Sequence, residues 1–154
     1  MKQEIDCLGE AAAGMITQIS VFAENRKGAM RKLTGILGDA GIDIIALVTN
    51  DSAEFGIVRM IVSDPDLAEQ KLAQKGYMVH KDLVMAVDLE DRPGGLNRLL
   101  ASIDESNTNI DYLYISYDRA LSVPIAVIHS GDLEELEQCL KNQGYHVRNT
   151  GNFI

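Results

Sequence analysis

Residues 89–99 read LEDRPGGLNRL, and residues 23–33 read AENRKGAMRKL. Both stretches place an acidic residue, an arginine and a glycine, in that order, directly before apolar residues at helical spacing. An alternating pattern typical of a strand precedes the earlier stretch, with Ile19, Val21 and Ala23 as its apolar members. The sequence therefore predicts the same turn and helix twice.

The repeated turn belongs to a longer internal repeat. An offset of 66 positions, which joins Arg26 to Arg92, aligns identical residues along the strand, the turn and the helix. Beyond residue 52 the offset becomes 68, which joins Leu72 to Leu140 and indicates a two-residue insertion in the second copy near Arg119. The chain of 154 residues is therefore interpreted as a tandem duplication.

The remaining elements also follow the same order in both copies. Strands are predicted at 42–48, 56–62, 110–116 and 122–128. A second helix follows in each copy and ends at Gly76 or Gly144, before a short last strand. This order predicts an α+β protein made of two ferredoxin-like βαββαβ units, each with an antiparallel sheet and helices on one face. Pro124, inside a predicted strand, indicates a sheet edge or a bulge.

The domain boundaries follow from the repeat. We predict a first unit at residues 15–82 and a second unit at residues 83–150, preceded by a loosely ordered N-terminal extension of residues 1–14. The join at residues 80–84 reads HKDLV and contains no glycine, proline or serine.

Composition and charge disfavour several classes of function. The net charge of −9 disfavours nucleic acid, and no apolar run reaches the length of about 18 residues that spans a membrane. Cys7 and Cys139 are far apart, which fits a reducing cytoplasm, and the three histidines lack metal-ligand spacing. We therefore expect a cytoplasmic protein with no metal and no cofactor.

The repeated turn could receive an anion. The first amides of a helix lack partners within the helix, so a ligand carboxylate can dock there. Gly94 and Gly95 allow a tight bend or a close backbone approach. The alternative is an ordinary tight turn in which Asn25 or Asp91 caps the helix.

The start of the second strand offers a polar residue in each copy. Asp43 and Asn109 occupy this position, so each copy holds one amide and one carboxylate when Asn25 and Asp91 are included. Such oxygens can accept hydrogen bonds from a ligand ammonium group. Alternatively, Asp43 and Asn109 begin a strand and face water.

The stretches ENRKGAMRKLTGILGDAGIDI and EDRPGGLNRLLASIDESNTNI resemble the signature of the ACT domain, a ferredoxin-like module that binds free amino acids and regulates metabolic enzymes. The resemblance covers residues 16 to about 150 as two copies. The second copy has the more typical Asp-Arg-Pro-Gly turn, whereas Lys27 replaces the proline in the first.

This resemblance implies a non-catalytic protein with amino-acid sites between ACT units and, as a further partner, a metabolic enzyme. The exposed edges of the predicted sheets separately predict a homodimer. The ligand-binding positions that the resemblance implies are the turn residues and the first residues of the second strand: Asn25, Gly28, Ala29, Asp43, Ile44, Asp91, Gly94, Gly95, Asn109 and Ile110.

Three other functions are alternatives for a chain with this order of strands and helices. An RNA-recognition module shares the strand order, but Ile57 and Met60 stand where its third strand needs stacking aromatics. An independent enzyme is disfavoured because no catalytic motif appears. The third alternative is a regulatory subunit of a separate amino-acid biosynthetic enzyme that acts mainly through protein contacts. In it, Tyr112, Tyr114 and Tyr117 could form a contact surface or simply pack.

Overall fold

The computed structural model describes residues 14–50 and 55–153. These residues form two compact units, a first unit of residues 17–82 and a second unit of residues 83–153, and residues 14–16 group with the second unit. Residues 1–13 of the expected N-terminal extension lie outside the described residues.

The first unit follows the predicted order of elements. These are β1 (Ile16–Glu24), α1 (Ala29–Asp39), β2 (Ile44–Asn50), β3 (Phe55–Val62), α2 (Pro65–Gln74) and the beginning of β4 (Met78–Asp88). Strand β3 pairs antiparallel with both β1 and β2. The ends of β1 and β2 therefore lie at the same edge of the sheet, next to the turn that precedes α1.

The second unit repeats this arrangement. After the end of β4 come α3 (Gly95–Asp104), β5 (Ile110–Asp118), β6 (Val123–Ser130), α4 (Leu133–Asn142), β7 (Val147–Arg148) and the short α5 (Thr150–Phe153). Strand β6 pairs antiparallel with β4 and β5, and β7 pairs antiparallel with β4. The predicted α+β fold of ferredoxin-like units is confirmed.

The last strands of the two copies differ in length. The short strand predicted at the end of the first copy is the beginning of β4, which continues through the predicted join to Asp88. Its counterpart in the second copy, β7, contains only Val147 and Arg148.

Each unit has its own hydrophobic core. In the first unit, Leu33 of α1 and Leu72 of α2 are fully buried in one cluster with Ile19 of β1 and Met60 of β3. The two helices also contact each other, so both cover the same face of the sheet. In the second unit, the corresponding cluster includes Met85, Leu99, Ile128, Leu136 and Leu140.

Helix α2 begins as its sequence predicts. The Asp64 side chain accepts a hydrogen bond from the Leu67 N–H at 3.0 Å, and Pro65 occupies the first helical position. Asp64 is therefore the N-cap residue of α2. The Ser63 hydroxyl instead accepts a hydrogen bond from the Asp43 N–H at 2.9 Å.

The edge interpretation of Pro124 is wrong, because β6 lies between β4 and β5. Pro124 is the second residue of β6 and pairs with Tyr117 of β5. The residue ladder between β4 and β6 begins only at Ile125. The missing N–H of the proline is therefore tolerated near the start of an inner strand.

Candidate functional site

The predicted turn before α1 is built around a left-handed glycine. Gly28 has φ of +85° at the N-cap position, and no side chain caps the helix. The Ala29 N–H donates to the Arg26 carbonyl oxygen at 3.1 Å, which closes the turn. A Cβ added at Gly28 would meet nothing within 4 Å, so the space in front of this glycine is open.

The turn before α3 has the same backbone conformation, but different side chains surround it. Gly94 also has φ of +85° and no side-chain cap. Here a Cβ would lie 3.0 Å from Nη1 of Arg98, whose guanidinium covers the glycine. Glu90 holds Arg98 by an ion pair of 3.0 Å. Asn25 and Asp91 therefore do not cap the two helices, and the helix starts differ in how open they are.

The second glycine of the Pro-Gly-Gly turn is Gly95, and a close backbone contact explains why this position has no side chain. An added Cβ would lie 2.2 Å from the carbonyl oxygen of Glu90, far too close for a side chain. The corresponding residue of the first copy is Ala29, which carries a Cβ. The backbone at Glu90, just after β4, therefore approaches the start of α3 so closely that position 95 requires glycine.

A cleft of about 600 Å³ opens beside the first turn. It is lined by the end of β1, the turn, the start of α1 and the segment after α2, namely residues 22–24, 26–29, 32 and 75–78. We call it the lysine cleft, because Lys27, Lys32 and Lys75 line it. No ion pair holds these three lysines in the part of the chain that the structure describes.

A smaller cleft of about 280 Å³ lies on the other side of the same turn. It is lined by residues 23–26, 29–30, 49–50 and 56–58, and we call it the strand-end cleft. Thr49 and Asn50 reach it because the end of β2 lies level with the end of β1. Asn25 lines this cleft, Gly28 the lysine cleft, and Ala29 both.

The structure does not bring Asp43 and Ile44 to this turn within the first unit. Ile44 pairs with Val62, whereas Asn50, six residues later, pairs with Ile57 near the turn. At about 3.3 Å per strand residue, roughly 20 Å separates the two ends of β2. Ile44 packs against the core, and the Asp43 carbonyl accepts a hydrogen bond from Ser63 N–H at 2.9 Å.

The same separation occurs in the second unit. Ile110 pairs with Ser130 and packs against the core, at the opposite end of the sheet from Asp91. The Asn109 carbonyl accepts a hydrogen bond from the Ser130 hydroxyl at 2.8 Å. In each unit, only the turn residues of the predicted set therefore lie together.

Sequence reasoning missed an ion cluster in the second unit. Arg148 is 1% exposed and donates to Asp88 Oδ1 at 2.6 Å and to a carboxylate oxygen of Asp118. His146 Nδ1 lies 3.0 Å from the other oxygen of Asp88. The hydrogen bond from Arg148, aided by the backbone N–H of Leu121, lowers the pKa of Asp118. A charged residue ending the apolar run LVMAVD was the available signal.

The tyrosines have different environments. Tyr112 stacks on His129 with ring centroids 4.8 Å apart, and His129 Nδ1 lies 2.9 Å from Asp111 Oδ2. Tyr114 is buried, whereas Tyr117 is 51% exposed. Packing therefore accounts for Tyr112 and Tyr114, and Tyr117 stays accessible.

The described residues lack two further features. Within residues 14–50 and 55–153, no three histidine, cysteine, aspartate or glutamate side chains are grouped so that they could hold a metal ion. Among the helices of the described residues, none combines the length and apolarity that crossing a membrane requires.

Comparisons with known proteins identify the family. A crystal structure of a Bacteroides thetaiotaomicron protein is 27% identical, with a TM-score of 0.85, over 92% of this chain and 97% of that chain. The ligand-free regulatory subunit of aspartate kinase from Thermus thermophilus is 17% identical, with a TM-score of 0.61, over 81% of this chain and 87% of that chain. Its counterpart from Thermus flavus is 18% identical, with a TM-score of 0.58, over 81% and 88%.

The two aspartate kinase subunits show the shared fold alone, and no curated protein matches the sequence. The family described as the ACT domain pair matches residues 14–142, which include both glycine turns. The chain therefore belongs to the ACT domain pair family.

Proposed function

We propose that this protein binds a free amino acid at the first glycine turn and acts as a non-catalytic regulator. The observation that carries the proposal is the uncapped start of α1 at Gly28, which opens on a cleft between elements of one unit. Membership of the ACT domain pair family supports an amino acid as the ligand.

The groups around the turn suit a zwitterion. The amides that follow Ala29 in the first turn of α1 and the nearby lysines would receive the ligand carboxylate, since the Ala29 N–H itself is bonded to Arg26. Glu24 lines both clefts, and within the described part of the chain its carboxylate forms one exposed ion pair, with Arg26 at 3.0 Å, so it can also accept a ligand ammonium group. Asn50 adds an amide oxygen on the side of the strand-end cleft.

Binding would shift a conformational equilibrium rather than lead to chemistry. We place the protein in the cytoplasm as a homodimer whose ligand alters its contact with a metabolic enzyme. Exposed apolar side chains on and beside β5 support a contact surface, since Ile115 is 50% exposed and Leu121 is 66% exposed. The family-derived positions Asp43, Ile44, Asn109 and Ile110 remain predictions.

The second candidate is a regulatory subunit that acts mainly through protein contacts. The exposed β5 residues Ile115 and Tyr117 favour it, because they offer a contact surface without any ligand. The two candidates differ in one measurable property, which is amino-acid binding by the isolated chain.

Isothermal calorimetry against the twenty amino acids tests the proposal, with Gly28→Ala as the variant. A methyl group at Gly28 would project into the open space of the turn, and we expect affinity to fall by about tenfold or more. Gly41→Ala is the matched control, because Gly41 also has positive φ and open space but lines neither cleft.

The control separates ligand binding from backbone strain. Alanine at either glycine costs roughly 1 kcal/mol in the left-handed region, so both variants should lose similar stability. Equal affinity in the two variants would contradict the site at Gly28. No binding of any amino acid at millimolar concentration would favour the subunit acting through protein contacts.

A further inference from the structure

The lysine cleft and its counterpart in the second unit differ in charge. At the repeat offsets, Lys27 corresponds to Pro93, Lys32 to Arg98 and Lys75 to Gln143, while Arg26 corresponds to Arg92. Among the described residues, the lysine cleft thus has four cations and the carboxylate of Glu24. The chain has 14 lysines and arginines and a net charge of −9, so this local excess of cations opposes its overall charge.

Ion pairing increases the difference between the two copies. In the second unit, Glu90 binds both Arg92, at 2.6 Å, and Arg98, at 3.0 Å. In the first unit, Glu24 pairs with Arg26, and Lys32 is left without an ion pair among the described residues. The second turn is therefore internally neutralised, and the first turn is not.

The walls beside the turns differ as well. Phe22 and Met78 line the lysine cleft with apolar surface and are 42% and 68% exposed. Their counterparts in the second unit are Asp88 and His146, which are joined in the ion cluster around Arg148. A ligand with an aliphatic body and negative groups fits the lysine cleft. The equivalent surface of the second unit, with Asp88 in place of Phe22, disfavours such a ligand.

A neutral zwitterion would leave this excess of positive charge uncompensated. Its single carboxylate can use the amides of α1 or one lysine, while its ammonium group adds a further positive charge. A second carboxylate on the ligand would pair with the remaining lysines through charge-assisted hydrogen bonds.

We infer that the lysine cleft selects an amino acid with a second carboxylate, and that the equivalent surface of the second unit does not bind it. This inference rests on the proposed function, since it assigns a ligand class to the same cleft. It differs from that proposal in requiring discrimination between an acid and its amide.

Isosteric pairs of ligands test the inference. Calorimetry at low ionic strength would compare glutamate with glutamine and aspartate with asparagine, and we expect the acid to bind about tenfold more tightly within at least one pair. Inorganic phosphate is the anion without an ammonium group. If phosphate binds as tightly as the preferred acid, the assignment to an amino acid is wrong.

Two charge variants locate the effect. Lys75→Gln introduces the residue found at the second copy's equivalent position, and it should lower acid affinity about threefold while leaving amide affinity unchanged. Lys71→Gln removes the same charge one turn earlier on α2, outside the lysine cleft, and should change neither. Equal losses in the two variants would show a long-range charge effect and overturn the inference.

Amide chemical shifts in a nitrogen–proton NMR titration show which unit responds. We expect glutamate or aspartate to move the signals of Gly28 and Gly76, and to leave those of Gly94 and Gly144 in place. Movement of both pairs would contradict the difference between the units. Tight binding of glutamine or asparagine at Gly28 without acid preference would overturn the inference while supporting the proposed function.

Discussion

Arg148 Nε donates a hydrogen bond to Asp88 Oδ1 at 2.6 Å, which ties the last strand of the second unit to its first. The same guanidinium also binds Asp118 at the end of β5. Three strands of one sheet therefore meet at a single side chain that is almost completely buried.

Removing the guanidinium should destabilise the protein strongly. Arg148→Ala would remove the buried guanidinium that Asp88 and Asp118 share and leave the two carboxylates with weaker partners, at a cost of about 3 kcal/mol in unfolding free energy. Urea denaturation monitored by circular dichroism measures this loss. Arg119→Ala, at an exposed loop position, is the control and should change stability by less than about 0.5 kcal/mol. An unchanged midpoint for Arg148→Ala would contradict a stabilising role of the cluster.

Stability should also depend on acid pH through Asp118. Because Arg148 lowers the pKa of Asp118 below its usual 3.8, the folded state holds the charged form more strongly than the unfolded state does. This contribution is fully present above pH 3.8 and disappears as the pH falls through the lower folded pKa.

The variant Asp118→Asn isolates that dependence. Urea unfolding measured between pH 5 and about pH 2 should show a weaker loss of stability for Asp118→Asn than for the unmodified chain. Asp104→Asn, an exposed carboxylate at the end of α3, should retain the full loss. Parallel curves for the unmodified chain and Asp118→Asn would rule out this contribution.

Two glycines in helices should respond oppositely to alanine. Gly95→Ala places a Cβ 2.2 Å from the Glu90 carbonyl oxygen, so the backbone must shift and stability should fall by about 1–3 kcal/mol. Gly35→Ala, inside α1 with nothing within 4 Å of its Cβ, should raise stability by about 0.5–1 kcal/mol. Thermal and urea unfolding of both variants measure whether the free energy of unfolding falls or rises. Equal changes would mean that the close approach at Gly95 does not constrain the residue type.

The fold could be predicted because its signals are local and occur twice. The alternation around Val21 and the helical spacing of Leu33 and Leu37 each fix an element, and the repeat confirms the order. The start of α2 has a local signal of the same kind, an aspartate followed by a proline at Asp64 and Pro65. The fusion of the first copy's last strand with the second copy's first strand into the single strand β4 could not be predicted, because pairing rather than composition decides whether a strand continues.

The side chains around the first glycine turn were less predictable than the turn itself. Gly28 was identified from the repeat, but Lys75 reaches the same cleft only because α2 ends beside the end of β1. This proximity depends on tertiary topology and cannot be read from spacing along the chain. The alignment of the two copies shows that Gln143 stands at the position of Lys75. Only the structure shows that this difference changes the charge of the lysine cleft.

The ion cluster also has a consequence during protein synthesis. The ribosome releases Asp88 and Asp118 well before Arg148, so the nascent second unit carries two carboxylates whose counterion has not yet emerged. The ion cluster can therefore form only after the last strand has been synthesised, whereas every residue that forms the turn, α1 and the lysine cleft of the first unit has been synthesised long before.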